Sequence, residues 1–212
     1  MLYFVLMNPA HRTLLCLCLI VPVSPAGAQT RVGLRTGITT SSRLVRDSLG
    51  TEAVESRINP AAVLGVLFDT RVRSDILLGA SIAVGRSNLV RQTVDEKVAI
   101  ARLTIWHPSI SVGHPLSPWL EGHARLGVLV YRPDRQLGTI FGTSAPTATT
   151  YGAVVSASRP LGGRLLGSID VAYDYHRFGT TTLRIAGFVG ETSVHRLTIG
   201  ATVRHRRTDD GS

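Results

Sequence analysis

From Gln29 onward the chain is patterned with a period of two. No stretch sustains the 3.6-residue period of an amphipathic helix, and none holds 18 consecutive apolar residues, so helical membrane spans are not expected. Trp119 to Tyr131 gives the clearest alternation. Leu120, Gly122, Ala124, Leu126, Val128 and Val130 share one face, while Trp119, Glu121, His123, Arg125 and Gly127 share the other. The stretch from Leu165 repeats it, with Leu165, Ile169, Val171, Tyr173 and Tyr175 opposite Ser168, Asp170, Ala172, Asp174 and His176. So does the last, with Leu197, Ile199, Ala201 and Val203 opposite Arg196, Thr198, Gly200, Thr202 and Arg204. In the first, Val32, Leu34, Thr36 and Ile38 oppose Arg31, Gly33, Arg35 and Gly37. A face of arginine and glycine does not make the core of a soluble sandwich. A barrel in lipid accepts it, because lipid rewards an apolar outside and the lumen accepts charge.

Four further strands are expected near 60–69, 76–86, 97–113 and 149–159. Ala61 to Phe68 is apolar on both faces. Leu78, Ala80, Ile82 and Val84 oppose the small residues Gly79, Ser81, Ala83 and Gly85. The fourth strand changes phase: Ala99, Ala101, Leu103 and Ile105 oppose Arg102 and Thr104, yet past Trp106-His107-Pro108 the apolar set is Ile110 and Val112. Proline cannot donate to a ladder, so a bulge at His107–Pro108 is the expected cause, with Arg102 on the polar face. Between the eight strands, long and short connections alternate: about 40–59, 70–74, 87–96, 114–118, 132–148, 160–163 and 177–191. That rhythm matches external loops and periplasmic turns, with both termini in the periplasm.

The first 28 residues read as a secretory signal peptide, with His11 and Arg12, an apolar run from Leu14 to Val23, and Ala26-Gly27-Ala28 before Gln29. Met7 gives the more regular start. Both cysteines, Cys16 and Cys18, fall inside this segment, and Leu15-Cys16-Leu17 lacks the small residue of a lipid-attachment box. Residues 29–212 then form one 184-residue barrel domain carrying 22 basic and 14 acidic residues, a formal charge of +8. It has no thiol for a disulfide, zinc site or nucleophile. Export argues against nucleic acid as a partner; the charge suits phosphates of the outer leaflet.

Eight alternating strands behind a signal peptide make the chain resemble small outer-membrane barrels of the OmpA/OmpX type over roughly residues 30–205. The last strand resembles that family's assembly signal, polar-x-Gly-x-x-apolar-x-aromatic, with Thr198, Gly200, Val203 and His205 at the matching places; His205 stands where an aromatic is usual. The resemblance implies an all-β, eight-stranded antiparallel up-and-down transmembrane barrel of a Gram-negative outer membrane. It also implies insertion by the barrel-assembly machinery. Tyr131, Tyr151 and Tyr175 fall near the external rim and Phe68 near the periplasmic one, a partial aromatic belt; by parity Tyr131 and Trp119 point inward.

The expected lumen network is Arg35, Arg102, Glu121, His123, Arg125, Asp170, Asp174, His176 and Arg196. Eight strands enclose little more than their own side chains, so such a set plugs the interior. The expected role is structural or surface interaction, by a monomer without enzyme activity, cofactor or metal. Its partners are outer-membrane lipid and lipopolysaccharide, met through Arg43, Arg46, Arg57, Arg132, Arg135 and Arg184. The alternatives are a lipid-modifying barrel enzyme using Asp174 and His176 with Ser87 or Ser193, and a soluble periplasmic ligand-binding barrel. The latter wants an apolar inner face, which Glu121, His123 and Arg125 oppose. His107, His114, His123, His176 and His195 lack a metal-ligand spacing on one face.

Overall fold

The computed structural model describes residues 29–49, 52–73, 75–136, 146–179 and 191–207. The signal segment 1–28 lies outside them. The described strands are β1 (Gln29–Ser41), β2 (Arg43–Leu49), β3 (Glu52–Ile58), β4 (Ala61–Arg71), β5 (Leu77–Gln92), β6 (Lys97–Ser117), β7 (Leu120–Gln136), β8 (Thr147–Gly162), β9 (Leu165–Gly179) and β10 (Glu191–Arg207). Eight of them close on themselves in the order β5-β4-β1-β10-β9-β8-β7-β6, with β6 returning to β5. Every pairing is antiparallel. Closure leaves no unpaired strand edge, the condition for backbone to sit in lipid.

β2 and β3 are the exception, and they correct the expected first loop. They pair with each other, and β3 adds to the upper part of β5 through Glu55↔Gln92 to Ile58↔Leu89. The breaks at Ser42 and at Asn59-Pro60 let β1 and β4 continue upward as this hairpin. At the opposite end the turns are tight. Gly162 (φ 119°) and Gly163 (φ 54°) take conformations that side chains disfavour, closing β8 onto β9. Short turns and both described strand ends gather at this end, which makes it the periplasmic one.

The outer wall carries an apolar belt. Val32, Leu34, Leu64, Val66, Ile169, Ile199 and Val203 are exposed on the outer faces of β1, β4, β9 and β10. A soluble monomer does not present such a belt; a membrane protein must.

The inside has two layers. Its external end is filled by an apolar cluster of Leu44, Ile58, Leu89, Ala101, Leu103, Ile105, Leu129, Tyr131 and Val194, each at most 5% exposed. Beneath it the lumen is polar. This division explains the phase of β6. The β5–β6 register runs unbroken from Leu77↔Gly113 to Leu89↔Ala101, through Ile82↔Pro108 and Ala83↔His107. The expected bulge at His107–Pro108 is therefore absent. On the other side, the β6–β7 ladder skips from Trp106↔Val130 to Ser109↔Gly127 without changing register, a gap that a missing proline N–H allows. One inward face simply changes content, from Ala101, Leu103 and Ile105 in the apolar cap to buried His107 and Ser109 below. Arg102, on the opposite parity, is exposed and stands outside the lumen.

Candidate functional site

The polar lumen is built by the odd positions of β1, β4, β5, β6 and β7 and the even positions of β8, β9 and β10. Nearest the periplasm, Arg31 donates to Glu121 through two nitrogens, at 2.8 and 3.2 Å, and His123 Nε2 lies 3.7 Å from the same carboxylate. Above it, Asp170 is shared. Thr202 donates to it, Ser168 donates at 3.0 Å, and Arg35 and Arg204 approach at 3.6 and 4.0 Å. Arg204 also reaches Asp69 at 3.2 Å and donates to Ser168. Higher still, Arg125 grips Asp174 with both ends of its fork, at 3.0 and 2.5 Å, the arrangement in which arginine–carboxylate pairs are strongest. Arg196 is buried and donates to Thr39, at 3.5 Å. His176 Nε2 and the Tyr131 hydroxyl are 2.8 Å apart, directly under the apolar cap.

Glycines make room for these side chains. A Cβ on Gly113 would strike the His123 ring, and one on Gly152 would strike the Asp174 carboxylate. On Gly127 it would lie 2.7 Å from His107 Nε2, the imidazole that meets the Thr150 hydroxyl at 3.0 Å. Between the charged layers lie cavities of about 60 Å³ and about 30 Å³. Either holds a water or two. A wider hollow of about 350 Å³ opens at the periplasmic mouth between Arg31, Arg71, Trp119 and Glu121.

Of the nine residues expected in the lumen, eight face it: Arg35, Glu121, His123, Arg125, Asp170, Asp174, His176 and Arg196. Arg102 does not. Sequence reasoning left out Arg31, Asp69 and Arg204. The first and last share the parity of Arg35 and Arg196, so the strand pattern contained them; Asp69 continues the inward parity of β4 beyond an apolar run and carried no such signal. The enzyme constellation is not assembled. Asp174 is held by Arg125, His176 faces Tyr131, Ser87 donates to the Asn59 carbonyl at 2.6 Å, and Ser193 lies exposed beside Tyr175, 3.1 Å away. His114 and His195 are exposed, away from the lumen histidines, and among the described residues no group of three or more His, Cys, Asp or Glu is placed to hold a metal. Of the loop arginines, Arg43 pairs with Glu55 at 3.0 Å. Arg57 is half-buried, and Arg132 and Arg135 are exposed. The Arg46 side chain and all of Arg184 lie outside the described residues.

No protein-family model matches the chain, and no curated protein does. Solved structures do. The outer membrane protein OprG from Pseudomonas aeruginosa aligns with a TM-score of 0.54 at 13% identity, covering 87% of this chain and 98% of its own. The outer membrane protein AlkL, solved in lipid bilayers, aligns with a TM-score of 0.57 at 13% identity, covering 89% of this chain and 94% of its own. At that identity the likeness is one of fold. With the closed sheet, the apolar belt and the charged lumen, it identifies the chain as an eight-stranded antiparallel β-barrel with a lipid-facing outer wall, the fold of these outer membrane proteins.

Proposed function

We propose that this barrel is a non-conducting, non-enzymatic outer-membrane protein whose role is structural or surface interaction, carried by its external end. The observation behind this is the apolar cap. Leu103 and Leu129 are fully buried and Tyr131 is 1% exposed, and Leu44 and Ile58 from the β2–β3 hairpin complete the seal. An ion in the charged layer would have to cross that dry layer without partners, at a cost of several kcal/mol. The paired charges below fill the lumen rather than line a path.

Its contacts are with outer-membrane lipid and lipopolysaccharide, its assembly is by the barrel-assembly machinery, and it acts as a monomer without nucleic acid. Planar-bilayer recording tests the sealed lumen: no steady openings are expected, and stable ohmic conductance from wild-type protein overturns it. Incubation with radiolabelled lipid A and phospholipid tests the absence of catalysis. Turnover abolished by Asp174→Asn and His176→Ala would favour the lipid-modifying reading instead.

A further inference from the structure

Arg102, displaced from the lumen, stands in a group. On β6 it lies between Asn88 of β5 and Arg135 of β7, and one step below it the row reads Arg86, Thr104, Arg132. Paired residues share a face, so Arg86, Arg102, Arg132 and Arg135 all project from the outer wall, and all four are exposed. A period of two would put Arg132 and Arg135 on opposite faces. They share one because the register shifts between Arg102↔Arg135 and Leu103↔Pro133, leaving Asp134 as an extra residue on β7. Strands lie about 4.8 Å apart, so the four backbone origins fall within roughly 12 Å, inside the reach of converging guanidinium groups.

Like charges facing each other across neighbouring strands destabilise a sheet. Among the described residues none of the four has a carboxylate within 4.0 Å. Asp134 is the one acid in the group, and it accepts from Thr104 at 2.7 Å. The acids of the β5–β6 turn, Asp95 and Glu96, lie past Arg91 and Lys97. Directly beneath comes the row Val84, Trp106, Val130, where the 39%-exposed Trp106 marks the membrane–water interface. Below that the wall is the apolar surface of Leu78, Ile82, Val112 and Leu126.

We propose that Arg86, Arg102, Arg132 and Arg135 form a binding site for the phosphorylated headgroup of an outer-leaflet lipid of the lipid A kind, its acyl chains lying on the β5–β7 wall below. Arginine forks match phosphate geometry, and the continuity of the patch with the apolar wall selects a lipid over free phosphate. This assignment rests on the surface-interaction reading and gives it one site and one ligand class.

The test is binding of bisphosphorylated lipid A, at low mole fraction in phosphatidylcholine nanodiscs, to wild type and to the fourfold Arg→Gln variant. Folding of each is checked by the unheated gel shift. With a basic residue beside an anionic surface contributing on the order of fivefold, the Gln variant is expected to bind about a hundredfold more weakly or worse. The fourfold Arg→Lys variant should recover part of the loss, and lipid A stripped of its phosphates should bind as weakly to wild type as the intact lipid does to the Gln variant. Unchanged binding in the Gln variant, or equal binding of the stripped lipid, overturns the site. Displacement by inorganic phosphate at the same concentrations as lipid A would make it a site for free phosphate and overturn the lipid assignment. Loss in Arg43→Gln/Arg57→Gln but not in the fourfold variant would sink this site and leave the surface reading standing. No binding by any form would count against both.

Discussion

Leu34 sits near the middle of β1 with its side chain on the outer wall, 64% exposed. Its cross-strand neighbours are Val203 on β10 and Val66 on β4, both outward and themselves about half exposed. Along β1 the same face carries Val32 and Thr36. An arginine placed there meets no carboxylate to pair with. In water this substitution would be a mild surface change, within about 0.5 kcal/mol. At the midplane of a bilayer it costs about 2–4 kcal/mol, roughly 30- to 700-fold in the folding equilibrium. The assay is reversible folding of Leu34→Arg from denaturant into phospholipid vesicles, followed by the fluorescence of Trp106 and Trp119. Val94→Arg is the control, since Val94 is 85% exposed in the β5–β6 turn and should change stability by no more than about 0.5 kcal/mol. If the two variants shift stability equally, the outer wall does not face lipid and the reasoning from the apolar belt fails.

Three further outcomes follow from the interior. Leu129→Ala removes a fully buried member of the apolar cap and is expected to cost about 2–5 kcal/mol in the same folding assay. Asp174→Asn leaves Arg125 buried without its charge partner and should cost about 3–5 kcal/mol; adding Arg125→Met should restore much of the loss, and a strictly additive double variant would argue against the pair. Gly127→Ala pushes a methyl group against His107 and the Pro108 carbonyl, 2.7 and 2.9 Å from the new carbon, at about 1–3 kcal/mol by chemical denaturation.

Strands whose polar face is charged along its length were legible in the sequence. The periods of β7, β9 and β10 place Glu121, His123, Arg125, Asp170, Asp174 and Arg196 inward without any knowledge of their partners. What misled was the assumption that the apolar face is always the lipid face. It holds where the lumen is polar and inverts where the lumen carries the cap, so Ala101, Leu103 and Ile105 read as outward and Arg102 as inward. The bulge postulated at His107–Pro108 was needed only to reconcile those two halves. Near the external end of β6 the real register shifts lie between Leu89 and Val90 on its β5 side and between Arg102 and Leu103 on its β7 side; a further one, between Pro115 and Ser117, lies at its periplasmic turn. No proline signals the first, and Pro133 signals the second only in hindsight. The β2–β3 hairpin was hidden because Arg43 to Ile58 mixes charge and apolar residues without a clean alternation. Its two inward anchors, Leu44 and Ile58, acquire meaning only once the barrel beneath them is closed. Which arginine meets which acid depends on register between strands distant in sequence, such as Arg31 with Glu121, and no single strand encodes that.

Whether the protein is a closed barrel resident in the outer membrane is read by separating the cell envelope and running the extracted protein on a gel with and without boiling. The protein should remain with the outer-membrane fraction after alkaline washing, and the unboiled form should migrate faster, as a closed barrel that detergent does not unfold. Recovery in the soluble periplasmic fraction, with the same mobility before and after boiling, would contradict it.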